Sequence, residues 1–405
     1  MTSSISWLDH DAGAAERSLR LLSFFKQSES RDELGIGGVR DAISDQLFPG
    51  TSTIQTRLRY MFFIPWLFGQ LDERAVTADR FPGRAREAEI ALLHALLQTT
   101  GPEVSGVIGR DAGSDLKRMP SSVYWAGLRT WGLRSFDGTI SQYCAQADQR
   151  QLSRRVRQKQ DGEDSHGHAA AVPAWHLQLA RLRPEGFPVG ATLNLTKSEA
   201  HFLLDQWKLN HPRALITWLA MDLANNQPWV DAERIWLHPR AAQFPSVLRD
   251  LVEEARRLDA LVMGAAILYN LLLAQLDGRD ELKAKYEADL SLWEQDEAPR
   301  CHEWDLPAFW HKVLGKGHSI TSSTQTFLES WLSLVRANRS GMATSEPARQ
   351  LIEAREKGLK QAVSRFNNRA ALTQWGGAAG LVPLNFRWPV ASGFLAEWHQ
   401  GWSAA

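Results

Sequence analysis

Four carboxylates stand close together near the start of the chain: Asp32, Glu33, Asp41 and Asp45. Asp41 and Asp45 are one helical turn apart, so a helix through them sets both on one face. That spacing suits a divalent ion and, with it, metal-assisted hydrolysis. It serves equally as an ion-pair lock onto Arg40, Arg57 or Arg59. A few residues on, Gln55, Arg57 and Arg59 are side-chain types that contact phosphates and base edges. The competing use of the two arginines is an internal pair with the nearby acids.

Other chemistries find no support in the spacing. Gly315-Lys316-Gly317 has the lysine of a phosphate loop but lacks its upstream glycine and the following Ser or Thr. Gly35, Gly37 and Gly38 lack the dinucleotide spacing and follow no strand pattern. Asp277, Asp280, Glu281 and Lys283 carry a nuclease-like residue set, but their pattern is helical and reads as a solvated face. Cys301, His302, His311 and His318 match no zinc-finger spacing, and neither do His166 and His168. No serine, cysteine or lysine sits in an activating motif. No cofactor is expected.

The elements that must position these residues read as helices. Residues 14–27 form an amphipathic helix, and Val39, Ala42, Ile43 and Leu47 make the apolar stripe of a second. Pro49-Gly50 ends it. Ser52 with Gln55 has the form of a capping box. A helix from there would bury Ile54, Leu58, Met61 and Phe62, turn Gln55, Arg57 and Arg59 outward, and stop or kink near Pro65. Two helices across a tight turn fit a helix-turn-helix or winged-helix unit. Residues 84–98 form a further helix, Thr196 with Glu199 caps another, and 213–224 follow. Ser246 to Leu276 is the longest, apolar nearly all round in its second half. Residues 282–293, 324–337 and 346–366 continue the series, with a short extended stretch at 382–388 before a final helix. The class is mostly α, with an N-terminal helix-turn-helix/winged-helix-like helical domain and a C-terminal helical domain.

Charge is balanced overall, with 46 Lys+Arg against 46 Asp+Glu, so an electrostatic partner must meet a local patch. Residues 107–159 supply one, carrying six more cations than anions. It ends in Arg150, Arg154, Arg155, Arg157 and Lys159, enough to hold a phosphate backbone if they share a face. Residues 158–172 are polar and aperiodic and read as a linker. It would separate a DNA-contacting half, 1–157, from a partner-docking half, 173–405. The 17 tryptophans serve as core anchors or as stacking platforms for bases. The two distant cysteines, the lack of a leader-like apolar segment and the lack of a long uninterrupted apolar run point to a cytoplasmic protein with no membrane partner.

Several stretches resemble a family of uncharacterised bacterial proteins known as a domain of unknown function. They are Ser6-Trp7-Leu8-Asp9, Arg31 to Gly37 (RDELGIG), Arg40-Asp41 and Leu47 to Thr53 (LFPGTST). They continue with Gln55-Thr56-Arg57, Arg59-Tyr60, Pro65-Trp66 and Pro120 to Trp125 (PSSVYW). His176-Leu177-Gln178, Tyr269-Asn270 and Phe386-Arg387-Trp388-Pro389 complete the set. The family often has tyrosine where this chain has Phe386. The resemblance implies an accessory protein of bacterial defence or DNA-modification islands, working beside helicases and nucleases, and supplies no catalytic residues. The expected function is therefore a non-enzymatic DNA-binding or adaptor subunit. The alternatives are a metal-dependent hydrolase on the four acids and a purely structural interaction subunit.

Overall fold

The computed structural model describes residues 32–160, 173–225 and 228–404, with side chains described up to Arg155 before the first break. The expected helix over 14–27, residues 161–172 of the expected linker, and His166 and His168 lie outside those residues. So do the side chains of Arg157 and Lys159. Among the described residues there are 17 α-helices and no strand, only an isolated antiparallel bridge between Arg134 and Trp175. The chain is all-α.

Helix α1 (Gly37–Leu47) starts where Asp32 turns back on it. Both carboxylate oxygens accept backbone N–H groups, from Ile36 and Gly37, at 2.6 Å each. That is an acid on the positive end of a helix. The next helix does not begin at Ser52. Residues 51–59 form a turn-rich loop, and α2 runs from Tyr60 to Glu73 with Pro65 inside it. Gln55 does reach back to the Ser52 N–H at 3.0 Å, as a capping box would, yet no helix follows. The reason is tertiary. The backbone polar groups of this loop are claimed by side chains from elsewhere, and α2 is buried continuously from Tyr60 to Phe68, so packing offsets the proline. The helix-turn-helix reading therefore does not hold at this place.

Helices α3 (Phe81–Thr99), α4 (Pro120–Thr130), α5 (Ile140–Ala145) and α6 (Ala147–Gln160) follow. After α7 (Gln178–Leu182), the capping box of Thr196 and Glu199 opens α8 (Lys197–Asn210) as expected, and α9 spans Leu215–Ala224. Helix α10 (Ser246–Asp277) is long and apolar enough to cross a membrane, but 83% of its most apolar window is buried inside the protein. It is a core helix. Then come α11 (Asp280–Asp296), α12 (Pro299–His302), α13 (Leu306–Val313), α14 (Ser322–Ala337), α15 (Glu346–Lys360), α16 (Arg369–Thr373) and α17 (Trp388–Trp402).

These helices form two compact units, each built from separate stretches of chain: Met1–Ile43 with Leu251–Phe386, and Ser44–Asp250 with Arg387–Ala405. The division differs from the expected one at 158–172. Residues on both sides of that segment belong to the second unit.

In the first unit α10 is clamped by two tryptophans. Trp293 of α11 donates its indole N–H to the Ala260 carbonyl at 2.7 Å, and Trp331 of α14 donates to the Leu261 carbonyl at 2.9 Å. Their rings stack 6.3 Å apart. Gly264 is required here, because a Cβ would lie 2.2 Å from the Trp293 ring. In the second unit α17 packs on α8 and α9, and its Trp398 indole donates to the Ala200 carbonyl at 2.8 Å. Eleven of the 17 tryptophans are buried, so most of the unusual tryptophan content is core.

Candidate nucleic-acid interface

The loop that carries Gln55, Arg57 and Arg59 is held from several sides. Trp131 donates its indole N–H to the Pro49 carbonyl at 2.7 Å, and the same ring leaves no room for a side chain at Gly50. The Tyr124 hydroxyl takes the N–H groups of Thr56 and Arg57 at 2.8 and 3.0 Å, and burial pushes its pKa well above the ordinary phenol value. Gln55 is buried, donating to the Gly50 carbonyl at 3.1 Å. Arg57 pairs with Glu397 of α17 at 2.7 Å. Arg59 is buried and pairs with Glu199 at 2.8 Å, with a further bond to the Thr192 carbonyl at 2.8 Å. None of the three is free on an outer helix face. Gln55 and Arg59 belong to the interior of the second unit, and Arg57 is half-buried at its edge.

The four acids do not converge either. Asp32 caps α1. Glu33 is buried between Lys360 and Arg365, with Arg365 at 2.8 Å. Arg365 also reaches the Tyr269 hydroxyl at 2.7 Å, and that hydroxyl bonds Glu356 at 3.2 Å. Arg355 closes this corner by donating to the carbonyls of Leu34 and Gly35 at 2.9 and 3.2 Å. Asp41 pairs with Arg40 at 3.1 Å, and Asp45 pairs with Arg387. Among the described residues no group of three His, Cys, Asp or Glu side chains could hold a metal ion. The acids act as locks, with partners mostly remote in sequence and, apart from Arg40, not those expected. Asp277 likewise pairs with Arg279 at 2.8 Å, and Cys301 is buried against the Arg257 carbonyl.

The basic run keeps a different character. It lies on α6, where Arg154 and Arg155 are exposed and have no ion-pair partner among the described residues. Arg150, one turn earlier, is anchored: its guanidinium pairs with Asp72 at 2.9 Å and sits 3.5 Å from the centre of the Tyr143 ring. Tyr143 in turn donates to Asp72, and burial raises its pKa well above the ordinary phenol range.

Beside α6 lies a cavity of about 500 Å³, walled by α2, α6, residues 135–136 and residues 173–183. Phe136 and Trp175 give it aromatic surface over the buried Trp66, and Arg150, Arg154 and Arg183 line it as well. Arg183 pairs with Glu73 at 2.8 Å. His176 also lines the cavity, and burial lowers its pKa, which favours the neutral ring near pH 7. Arg154 and Arg155 were legible as cations in the sequence. The cavity was not, since its lining comes from separate stretches: α2, residues 135–136, α6 and residues 173–183. The signals near it were the Pro65-Trp66 and His176-Leu177-Gln178 stretches.

A second cavity, about 430 Å³, adjoins Glu89, Ser121 and Cys144. Glu89 accepts the Ser121 N–H and hydroxyl, both at 2.8 Å, and so caps α4 from α3. Burial pushes its pKa up to about 7 and raises that of the Cys144 thiol, which disfavours a reactive thiolate.

From residue 2 to residue 401 the sequence matches the Family of unknown function (DUF6361). The chain belongs to DUF6361. The match runs through both compact units, so the DUF6361 region is not an appended module. No curated protein and no solved structure matches the chain. Several stretches that suggested a family have structural roles in this DUF6361 chain: Asp32 to Gly37 forms the α1 cap and the Glu33 lock, and LFPGTST leads into the pinned loop. Phe386 and Arg387 both take left-handed backbone at the start of α17. Arg387 there bonds Asp45 and the Thr51 carbonyl, and Trp388 donates to the Ala232 carbonyl at 2.6 Å.

Proposed function

We propose that this DUF6361 protein is a cytoplasmic, non-enzymatic DNA-binding or adaptor subunit of a bacterial anti-phage defence or DNA-processing complex. The DNA contact is assigned to the outer face of α6, and not to Gln55, Arg57 and Arg59. The observation that supports this reading is the pair Arg154 and Arg155, exposed on one helix without acidic partners among the described residues, in a run that continues in sequence to Arg157 and Lys159. Exposed guanidinium groups of this kind neutralise backbone phosphates and release counterions. The protein partners expected from the resemblance are a helicase or a nuclease, and no membrane is involved.

Fluorescence anisotropy with labelled DNA across a salt series tests the reading. Affinity falls with salt, and Arg154→Ala with Arg155→Ala lowers both the affinity and the salt slope, by roughly 0.7–0.9 for each phosphate that is no longer neutralised. Arg59→Ala behaves differently. It leaves Glu199 buried without its cation, so it costs roughly 3–5 kcal/mol of folding stability in a urea melt, while the remaining folded protein keeps its DNA affinity. No binding near physiological salt, or binding indifferent to the α6 pair, rejects the proposal. Cleavage of the DNA on adding Mg²⁺ or Mn²⁺ would replace it with the hydrolase reading.

A further inference from the structure

The geometry points to the cavity beside α6 as a nucleotide pocket, taking one unstacked base between its aromatic walls with the attached phosphate on Arg154. This rests on the α6 reading for the strand's approach, but the pocket's own chemistry is independent of it.

Most of the lining groups are already committed. The indole N–H of Trp66 donates to the Leu179 carbonyl at 2.7 Å, and that of Trp175 donates to the Tyr143 hydroxyl at 2.7 Å. Neither indole has a donor left, and Trp66 is buried, so the ring surface open to the cavity is that of Trp175 and Phe136, both half-buried. Asp72 is taken by Arg150 and Tyr143, and Glu73 by Arg183. The anions of the wall are therefore matched by cations within the wall. Arg154 remains as the one lining arginine without an ion-pair partner among the described residues.

A site with aromatic walls, internally neutralised acids and one spare guanidinium suits a planar, mostly apolar body bearing a single anionic group. A base with its phosphate has that form: the ring stacks, and the guanidinium meets the phosphate. The volume, about 500 Å³, lies in the usual range for small-ligand sites. The walls are also pre-set. Trp175 is fixed by its bond to Tyr143, and Tyr143 by Asp72 and the Arg150 guanidinium over its ring, so little ordering cost remains on binding.

The same chemistry has two sources, a free mononucleotide and a nucleotide within a single strand. Gly69 of α2 provides a means of blocking both. It lines the cavity, and a Cβ there meets no atom within 4 Å. Gly69→Leu therefore fills the pocket without a clash at its Cβ and with better helix propensity.

The test uses the full chain and two probes, 2-aminopurine deoxyribonucleoside monophosphate and a single-stranded oligonucleotide carrying one 2-aminopurine. The expected result is a saturable change in probe emission with both. Arg154→Ala should weaken the free nucleotide about tenfold, the effect of one charge-assisted hydrogen bond. Gly69→Leu should abolish the signal, and Arg155→Ala should leave free-nucleotide binding unchanged. Circular dichroism confirms that each variant is folded. Oligonucleotide binding that depends on Arg155 without any emission change overturns the pocket and leaves the α6 proposal standing. Nucleotide binding without DNA binding upholds the pocket and removes the α6 reading. No saturable signal from the free nucleotide or the oligonucleotide overturns the pocket, as does a signal indifferent to Gly69→Leu.

Discussion

The buried carboxyls of the second unit make its stability pH-dependent in an unusual direction. Glu89 and Glu397 both have pKa values raised by burial to about 7, from an ordinary 4.5. For Glu397 burial outweighs the Arg57 guanidinium at 2.7 Å. A carboxyl whose folded pKa is raised keeps its proton longer folded than unfolded. The two states are equally protonated below about 4.5, so no penalty applies there. As pH rises from 4.5 towards 7 the unfolded state gains the advantage, and the penalty is complete above 7. Urea melts at pH 5 and pH 8 should therefore show the protein weaker at pH 8. Glu89→Gln, which keeps an acceptor for the Ser121 N–H, should narrow that difference. An identical pH dependence in the variant would show that Glu89 does not titrate in this range.

At the scale of the element, helices hold together here by tryptophan side chains bonded to backbone carbonyls of a neighbouring helix. The α10 clamp depends on Gly264 for this. Gly264→Ala brings a methyl to 2.2 Å from the Trp293 ring, so either the ring leaves its bond to Ala260 or α10 moves. Overpacking of that kind costs about 1–3 kcal/mol despite the better helix propensity of alanine. Thermal melts followed by tryptophan emission would show it as a lowered midpoint with altered emission of the folded state. A midpoint at or above the wild-type value would mean that the clamp is loose.

The legibility of the chain follows the same division. Periodicity and capping residues were enough to read α3, α8 and α9, because those signals are local. The Thr196–Glu199 box formed as written. The Ser52–Gln55 box has the same residue types and no helix after it, since Tyr124, Trp131 and Glu397 claim that backbone and all lie far away in sequence. Arg57 and Arg59 looked outward on a helical wheel for the same reason. Their partners, Glu397 and Glu199, lie on α17 and α8. The basic character of α6 was legible because it needs no partner, whereas the aromatic cavity beside it needs several.

At the scale of the molecule, the second unit is closed by a stretch remote from the rest of it in sequence. Helix α17 supplies Glu397 to Arg57 and the Leu58 N–H, and Trp398 to α8. A chain shortened to end at Phe386 lacks all three. Hydrogen exchange followed by mass spectrometry should then show lost protection in α8, α9 and the pinned loop at 48–59. Unchanged protection there would mean that α17 is an ornament on a core already complete.

That arrangement has a consequence for synthesis. A ribosome makes Ser44–Asp250 first, then the whole of Leu251–Phe386, and only then the helix that seals the earlier segment. Until α17 emerges, the apolar faces of α8 and α9 lack their cover, and Arg57 lacks its anion. The second unit cannot finish folding in the order in which it is made, and its exposed interval lasts for the translation of the entire intervening segment. Slowing translation across 251–386 should increase chaperone capture and aggregation of the nascent chain, and a co-expressed α17 peptide is the rational rescue.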